Sequence, residues 1–463
     1  MSYFSIHNHS DIGSNAGLGF PDTICRVPDL IQRAYDLGLP GIALTDHESL
    51  SGHIQALNYY NSMEKDRSFT LGLGNEIYLV PEEWDEINKE HHNTYPYCHF
   101  ILLALDNDGH KQLQELSTRA WKRSWKQRRI YRCPTYYSDL EEIIKPNQGH
   151  VIASTACLGG IISRLLLDNK WEKAFGENGE LNKFINIFGR DNIYLEIQPP
   201  KDANCDQSKV NRLMWKGHEF TGIKIIPSSD SHYLKKEDAF IHKIYLNSQE
   251  GDREVDEFYA TTYLMSPDDL REHLCIDFTD EQIEQMFEWS LEICNRIKGY
   301  NFNHDPIIPQ IPKEKIPDSF TIQHWFKEYY KNYPDFAYYA LNKNNNKWEE
   351  YFFYQVEQGL KSKIVDKGKD LQLYIARLNE EFEQFRLISE QLNTSIPSYF
   401  SSMSKIIDLI WESNSLAMPA RGSSAASLTN YLLEVTQIDP VPLGNYFPFW
   451  RFLSVERGTE LPD

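Results

Sequence analysis

Short apolar runs with the length of buried β-strands recur through the first half of this 463-residue chain, and helix-like segments separate them. The runs lie at 41–45, 74–79, 100–105, 150–157, 192–197 and 224–232, after an opening strand that leads into His7. The alternation corresponds to about six or seven β/α units and predicts an α/β barrel, in which functional groups collect at the C-terminal ends of strands.

The opening strand carries His7 and His9 two positions apart. Side chains at positions i and i+2 of a strand point to the same face, so the two imidazoles project together, as a metal site requires. Further residues of ligand type stand at or near the ends of later strands, although a single one of them is more often structural. Together they form one candidate ligand set: His7, His9, Asp22, His47, Glu76, His99, Cys157, Asp230 and His232.

This set mixes imidazole, carboxylate and thiolate groups, and it is larger than one ion can use. It suits two or three divalent ions bridged by a carboxylate, and the mixture favours Zn, Mn or Fe over Mg. Ions a few ångströms apart can clamp a phosphate, which is the arrangement that phosphoester hydrolysis uses. The sequence therefore predicts a metal-dependent phosphoesterase site.

The motifs His7-Asn8-His9, Thr45-Asp46-His47, Gly74-Asn75-Glu76 and Asp230-Ser231-His232, together with His99 and Cys157, resemble the PHP (polymerase and histidinol phosphatase) domain. More narrowly, they resemble the version that opens bacterial DNA polymerase III alpha subunits. The resemblance implies an α/β fold, a distorted (β/α)7 barrel with nine ligand positions for up to three metals. In active members this domain is a metal-dependent 3'→5' exonuclease that proofreads.

The same resemblance assigns a role to each candidate ligand. It implies that His7, His9 and Asp230 hold the first metal and that Glu76 bridges the first and second. His99 and Cys157 complete the second, and the third is held by Asp22, His47 and His232. The residues expected to carry catalysis are Glu76, Asp230, His7 and His9.

A local reversal of charge occurs between Arg119 and Arg132, a stretch with several basic residues and no acidic one. On a helix, five of them would lie along one side: Arg119, Lys122, Arg123, Lys126 and Arg129. Such a stripe predicts either a track for the phosphates of a DNA strand or a solvated helix face, and the sequence leaves both open.

Near the end of the chain, Arg421-Gly422-Ser423 precedes a predicted helix. Free N–H groups at a helix N-terminus can bind a triphosphate, although a Gly-Ser pair alone is mostly an N-cap. The turn and its flanks, Ser398–Phe400 and Arg451–Arg457, resemble the palm of polymerase III, where this loop contacts the incoming nucleotide. Arg421, Gly422 and Ser423 are therefore the candidate nucleotide-binding residues.

In that family, an Asp-x-Asp pair that binds two catalytic magnesium ions would follow Pro462-Asp463. We therefore expect no DNA synthesis from this chain alone. Magnesium enters only if the rest of the palm, thumb and fingers is supplied, for example by a second polypeptide.

Composition limits the class of protein. The formal net charge of −20 argues against a chain that coats nucleic acid through overall charge. Seven cysteines without a Cys-x-x-Cys pair predict reduced thiols and a cytoplasmic location, and the lack of a long apolar run predicts no membrane partner.

Three domains are predicted: a PHP phosphoesterase domain at 1–280, a proline-rich connector at 281–320 and the first part of an α+β polymerase palm at 321–463. The favoured function is that of a DNA replication protein whose PHP domain is an exonuclease acting on a primer 3' end or a single strand. The alternatives are a stand-alone PHP phosphatase for small phosphate esters and a non-catalytic scaffold that stabilises a polymerase assembly.

Overall fold

The computed structural model describes residues 2–13, 22–91, 94–127, 130–248, 259–302, 309–446 and 448–457. They divide into two compact units, Met1–Phe302 and Asn303–Asp463. The predicted connector begins at residue 281, but Asp280–Arg296 is a helix with Ile283, Met286 and Phe287 in the core of the first unit. The first unit therefore extends past residue 280.

The first unit is a mixed α/β structure built on one curved sheet and a separate hairpin. Its strands are β1 Gly41–Leu44, β2 Thr70–Val80, β3 Cys98–Ala104, β4 Trp125–Gln127, β5 Ile130–Arg132, β6 Pro134–Tyr136, β7 Val151–Ser154, β8 Ile193–Ile197 and β9 Ile225–Pro227. The sheet has the order β1-β2-β3-β7-β8-β9, with β6 paired to β2, and β4 and β5 form the hairpin. Every apolar run singled out in the sequence contributes a strand to this sheet.

The two edges of the sheet are joined by the opening segment. The Ala43 N–H donates to the carbonyl of Ser5 at 2.8 Å, on the β1 side. On the other side, the His9 N–H donates to the carbonyl of Ser231 at 3.0 Å, just beyond β9. The segment that carries both histidines is therefore fixed between the first and last strands, and its backbone makes isolated bridges rather than a regular strand.

The sheet differs from a regular parallel barrel at β3, which runs antiparallel to both β2 and β7. A short helix and loop connect β2 to β3, and an antiparallel neighbour needs no long crossover. The reversal has a consequence for the site, because the first residues of β3 lie at the same edge as the last residues of its neighbours. His99, the second residue of β3, reaches that edge in this way.

Twelve helices of the described residues accompany this sheet. They are α1 Val27–Asp36, α2 His53–Ser62, α3 Glu82–Glu90, α4 Asn107–Lys122, α5 Tyr137–Ile143, α6 Ile161–Leu167, α7 Trp171–Phe175, α8 Glu180–Phe188, α9 Asp206–Thr221, α10 Ala239–Asn247, α11 Pro267–Leu274 and α12 Asp280–Arg296. The local sequence determines where several helices begin. At the start of α12, the Thr279 side chain accepts a hydrogen bond from the Gln282 N–H, and the Gln282 side chain accepts one from the Thr279 N–H. One apolar core lies between sheet and helices.

In the described residues of the second unit, 309–446 and 448–457, all regular secondary structure is helical. Its α-helices are α13 Pro334–Ala340, α14 Lys347–Leu360, α15 Leu371–Leu392, α16 Ile396–Glu412 and α17 Leu428–Leu432. They enclose an aromatic core that includes Phe336, Phe352, Phe382 and Phe385. The sequence predicted an α+β palm here, but no strand occurs among these described residues. Among the described residues of both units, no helix is long and apolar enough to cross a membrane.

Candidate metal centre

All nine predicted ligands gather at one edge of the sheet of the first unit. His47 follows β1, Cys157 follows β7, and Asp230 and His232 follow β9, while the opening segment brings His7 and His9 between them. Glu76 lies within β2, which extends to Val80 instead of ending near the glutamate. Residues more than 200 positions apart in the sequence are thus brought into contact.

Glu76 is the centre of the cluster, and four imidazoles surround its carboxylate. Its Oε2 lies 2.7 Å from His47 Nδ1 and 3.3 Å from the Nε2 atoms of His7 and His9. Its Oε1 lies 2.6 Å from His99 Nδ1. The carboxylate is fully buried, so this shell of nitrogen atoms replaces its contact with water.

The remaining carboxylates and the thiol extend the cluster on both sides. Asp230 Oδ1 lies 2.9 Å from His9 Nε2 and 3.3 Å from His7 Nε2. Asp22 Oδ2 lies 3.4 Å from His47 Nε2 and 3.6 Å from His232 Nε2. Cys157 Sγ lies 3.4 Å from His99 Nδ1.

Three groups of side chains have ligand atoms close enough to hold a common ion: His7, His9 and Glu76; His47, Glu76 and His99; and His9, His47 and His232. The first group agrees with the ligands expected for a first metal. The second group places His47 beside Glu76 and His99, and the third places His9 and His47 beside His232. His9 and His47 therefore each belong to two of the three groups. The division of ligands among individual ions stays a prediction.

The electrostatics of the cluster favour a bound positive charge. Burial raises the pKa of the Glu76 carboxyl, but the charges of His47, His99 and His7 outweigh burial and hold it well below its ordinary value. Burial, together with His47, lowers the pKa of His9 to about 3. A neutral imidazole has a lone pair to offer, and a buried carboxylate among such lone pairs is stable only with protons or cations between them.

Several buried polar atoms of the cluster make no hydrogen bond of regular geometry among the described residues, although some nitrogen and oxygen atoms lie only 2.6–2.7 Å apart: His7 Nε2, His9 Nδ1, His47 Nδ1, Asp22 Oδ1 and both oxygens of Glu76. Buried polar groups are nearly always satisfied in folded proteins, so a group of orphaned atoms indicates a bound species. These atoms all belong to one cluster, and nitrogen and oxygen atoms of this kind act as ligands of divalent transition metals. These residues fit a metal site.

Glu196 is a contributor that the sequence analysis missed. It lies on β8, fully buried, and its Oε1 accepts a hydrogen bond from His7 Nδ1 at 2.7 Å. Ser154 and Ser228 donate to the same carboxylate. A proton held on Nδ1 leaves the lone pair of Nε2 facing Glu76 and Asp230. The available signal was a carboxylate in the otherwise apolar strand Ile193–Ile197.

The backbone after β9 is shaped for the site as well. Asp230 has φ of +48°, in the left-handed region that few residues other than glycine adopt. The following turn lets His232 Nδ1 donate to the Asp230 carbonyl at 2.7 Å, which directs His232 Nε2 toward Asp22. Uncommon backbone conformations of this kind concentrate at functional sites.

The prediction that the basic residues from Arg119 to Arg129 lie on one helix is wrong. The helix α4 ends at Lys122, and the hairpin of β4 and β5 follows, so no continuous stripe forms. Arg119 is paired with Glu142 at 2.6 Å and Glu115 at 2.9 Å. Arg123 makes a two-pronged ion pair with Asp139 and lies over the Tyr136 ring.

The other members of that stripe differ in how they are placed. Lys122 and Lys126 are exposed, and Arg129 lies outside the described residues. Arg119 and Arg123 thus form ion pairs with carboxylates of their own unit, which favours a structural role for these two residues. A role in DNA binding stays a prediction for the set.

The Gly-Ser turn of the second unit also differs from the expectation. Gly422–Ala426 forms a 3-10 turn, and α17 begins only at Leu428. The N–H groups of Leu428 and Thr429 donate to the buried carboxylate of Glu381 at 2.8 and 3.0 Å. The first N–H groups of α17 are therefore already bonded, while Arg421, Gly422 and Ser423 lie exposed on the preceding turn, and their role in nucleotide binding stays a prediction.

Comparison with known proteins agrees with the two-unit division. Residues 5–200 match the model of the PHP domain, and residues 350–463 match the model of the bacterial DNA polymerase III alpha NTPase domain. The chain carries a PHP domain joined to a DNA polymerase III alpha segment. The metal centre described above lies in the unit that contains this PHP domain.

Full-length relatives match nearly the whole chain. The DNA-directed DNA polymerase of Bacillus phage SPbeta is 33% identical over 487 residues, covering 99% of this chain and 36% of the relative. The DNA polymerase III alpha subunits of Aquifex aeolicus and Borreliella burgdorferi are 27% and 26% identical, covering 96% and 100% of this chain and 34% of each relative. The chain thus spans about a third of the length of these relatives.

Among solved structures, a proposed metal-dependent phosphoesterase from Bifidobacterium adolescentis covers 60% of this chain and 98% of its own at 15% identity. The TM-score is 0.33, a level of likeness that carries no inference about function.

Proposed function

We propose that the PHP domain of this chain is a metal-dependent phosphodiesterase that releases nucleotides from the 3' ends of single-stranded DNA. The observation that carries the proposal is the buried carboxylate of Glu76, ringed by four imidazoles, with orphaned polar atoms on the same cluster. A buried group of this charge and composition has no ordinary structural purpose, since it would be costly to bury without bound cations.

The proposed occupants are two or three divalent ions of Zn, Mn or Fe. Bound there, such ions supply Lewis-acid and charge stabilisation for phosphoryl transfer. His7, His9 and Asp230 would hold one ion, Glu76 would bridge to the next, and His99 with Cys157 would complete it. Asp22, His47 and His232 would hold the third.

The protein's own contribution is the position and charge of its ligands. Glu76 and Asp230 bring two buried negative charges. The Asp230 carboxylate lies within hydrogen-bonding distance of the His9 ring. His7 is held in one tautomer by Glu196, and His232 by the Asp230 carbonyl. Preorganised groups of this kind lower the activation barrier of the reaction, because they need no rearrangement as charge develops in the transition state.

The similarity to DNA polymerases supports a wider proposal: the whole protein acts in DNA replication, with DNA as its partner. In that setting the second unit would contribute to nucleotide binding through Arg421, Gly422 and Ser423, with magnesium as the ion of the polymerase chemistry. The PHP domain would then remove nucleotides from the same strand end that the polymerase extends.

The test uses the purified chain, reconstituted with Mn²⁺ or Zn²⁺, and a single-stranded DNA labelled at its 5' end. We expect products that shorten by one nucleotide at a time from the 3' end, and slower release of phosphate from a small phosphomonoester. Asp230→Ala should lose on the order of 10²–10³ in rate, because it removes a charge that anchors the cations.

The matched control is Asp168→Ala, an exposed aspartate outside the cluster, which should keep the wild-type rate. Digestion by Asp230→Ala at the wild-type rate would show that the activity belongs to a contaminant. Faster turnover of the small ester than of DNA would favour a small-molecule phosphatase.

A further inference from the structure

A cleft of about 430 Å³ opens beside the candidate metal centre, on the side of His99. Among the imidazoles around Glu76, His99 is the most exposed: its side chain is 23% accessible, against 10% for His47 and 0% for His7 and His9. A ligand that enters through this cleft therefore meets His99 before the other imidazoles around Glu76. What lines this cleft decides which ligands can enter.

The described lining of the cleft includes two guanidinium groups, Arg132 and Arg164, and no carboxylate. In a chain of net charge −20, that local composition is a reversal of sign. Arg132 is the last residue of β5, in the segment predicted as a basic helix, although no role was assigned to it. Arg164 lies on α6, directly after the loop that carries Cys157.

Both guanidinium groups are held in place by the walls of the site. Arg164 Nε donates to the Gly159 carbonyl at 3.0 Å, and the backbone N–H of His99 donates to the same carbonyl at 3.1 Å. Gly159 also donates its own N–H to Cys157 Sγ at 3.3 Å. One residue of the loop therefore fixes Arg164 relative to two of the candidate ligands.

Gly159 has a steric reason to be glycine here. A Cβ at this position would lie 2.9 Å from the His99 ring, closer than a real Cβ approaches its neighbours. The loop can pass beside His99, and thereby place Arg164 at the opening, only because the side chain is absent.

Arg132 is placed by an aromatic contact. Its guanidinium lies 4.9 Å from the centre of the buried Tyr97 ring, a distance at which the cation and the ring face attract each other. The positive charge of Arg132 also acts on the carboxyl group of the buried Glu48. An arginine that stacks on a ring face keeps its full positive charge, which also attracts an anion.

We propose that Arg132 and Arg164 form a binding site for a phosphate group of a single DNA strand, next to the phosphodiester that lies over the metal centre. Guanidinium groups bind phosphate oxygens in two-pronged fashion and fix the direction of the strand as well as its affinity. The site rests on the proposed function for its place in the reaction. Its affinity for a strand does not depend on hydrolysis and can be measured without it.

The experiment measures binding of a 5'-fluorescein-labelled oligothymidylate of about ten nucleotides, a length in the range that single-strand sites cover, by fluorescence anisotropy. The whole chain is used with its metals removed by chelation, so that no cleavage occurs. Arg132→Ala, Arg164→Ala and the double variant are compared with the wild type across a series of salt concentrations. Lys111→Ala is the matched control, because that exposed lysine on α4 is paired with Asp108 away from the cleft.

We expect the double variant to bind roughly 10-fold more weakly at low salt and each single variant several-fold more weakly, and the slope of log affinity against log salt should fall by roughly 0.7 for each phosphate that is no longer neutralised. Arg164→Lys should recover part of the affinity, because it keeps the charge and loses the fork. Inorganic phosphate should compete for the wild type and not for the double variant.

Wild-type affinity and slope in the double variant would overturn the proposal, as would a wild-type chain that does not bind the oligonucleotide. If circular dichroism shows that an alanine variant does not fold, the proposal is tested instead by the affinity of Arg164→Lys and by the competition of inorganic phosphate with the oligonucleotide on the wild type. The two proposals can fail separately. Binding through these arginines without hydrolysis by the metal-loaded wild type would overturn the exonuclease alone, and hydrolysis with unchanged binding would overturn the cleft alone.

Discussion

The candidate metal centre of the PHP domain and the Gly-Ser turn of the second unit were both predicted from sequence motifs, but their surroundings in the structure differ. At the centre, the carboxylate of Glu76 is buried and both of its oxygens lack a satisfied hydrogen bond among the described residues. Beside the turn, the first N–H groups of α17, those of Leu428 and Thr429, are bonded to Glu381. The first region has buried polar atoms without regular hydrogen bonds, while in the second the start of α17 is bonded within its own unit.

Glu76 and Glu381 make the comparison sharp, because both are fully buried glutamates. Glu381 accepts from two backbone N–H groups, from the hydroxyls of Ser427 and Thr429, and from Arg377 at 3.1 Å. Its partners are donors with protons in place. Glu76 faces imidazole nitrogens that need a proton or a cation between them and the carboxylate. A buried acid therefore indicates function by what surrounds it, rather than by its burial.

The largest effect is expected for Glu76→Ala. Removing the bridging carboxylate leaves the imidazoles without their common anion, so bound divalent ions should fall from two or three per chain to less than one. Elemental analysis after gel filtration measures this, with Glu83→Ala, an exposed glutamate on α3, as the control. Retention of the full metal content by Glu76→Ala would show that the cluster does not use Glu76 as a bridge.

The corresponding change in the second unit is Glu381→Ala, which should alter stability and leave metal content unchanged. It strips partners from the N-terminus of α17 and from Arg377, so we expect a loss of about 3 kcal/mol in the free energy of unfolding of that unit. Hydrogen exchange of the Leu428–Leu432 amides in denaturant measures it. Glu380→Ala, the exposed neighbour on the same helix, should change exchange little; equal effects of the two substitutions would contradict the anchoring role.

Glu196→Gln tests whether support behind a ligand matters at the metal centre. The amide keeps the size of the side chain but removes the negative charge that holds the proton on His7 Nδ1. We expect metal affinity to fall by about 10–100-fold, with folding retained. Competition with a chromogenic chelator measures it, and Glu219→Gln on the exposed face of α9 is the control. An unchanged affinity would reduce Glu196 to a packing role.

The sequence predicted much of the first unit because its two kinds of signal agreed. Apolar runs marked strands, and ligand-type residues followed them, so the convergence of His47, Cys157 and Asp230 could be expected from the geometry of strand ends. Two features needed the structure. The reversed direction of β3 depends on how a short connection packs, and Glu196 acts through His7, a pairing 189 positions apart along the chain.

The basic segment and the Gly-Ser turn were harder for one shared reason. Their sequence patterns describe charge and turn propensity, whereas the outcome depends on tertiary partners elsewhere in the chain. Asp139 and Glu142 neutralise Arg123 and Arg119, and Glu381 satisfies the start of α17. A local pattern carries no information about such partners, so the predicted basic helix is too long, and the helix predicted to follow the Gly-Ser turn directly begins only at Leu428.

The smallest effect is expected for Arg421→Ala, which completes the comparison at the turn itself. Arg421 is exposed, so its loss should change the free energy of unfolding by less than about 0.5 kcal/mol. Arg377→Ala should destabilise far more, because Arg377 bonds the Ala426 carbonyl at 2.8 Å from inside the unit. Thermal unfolding with and without magnesium dATP measures both effects. Stabilisation by dATP in the wild type that disappears in Arg421→Ala would assign the nucleotide to this turn, and equal responses of the two proteins would remove Arg421 from the candidate nucleotide site.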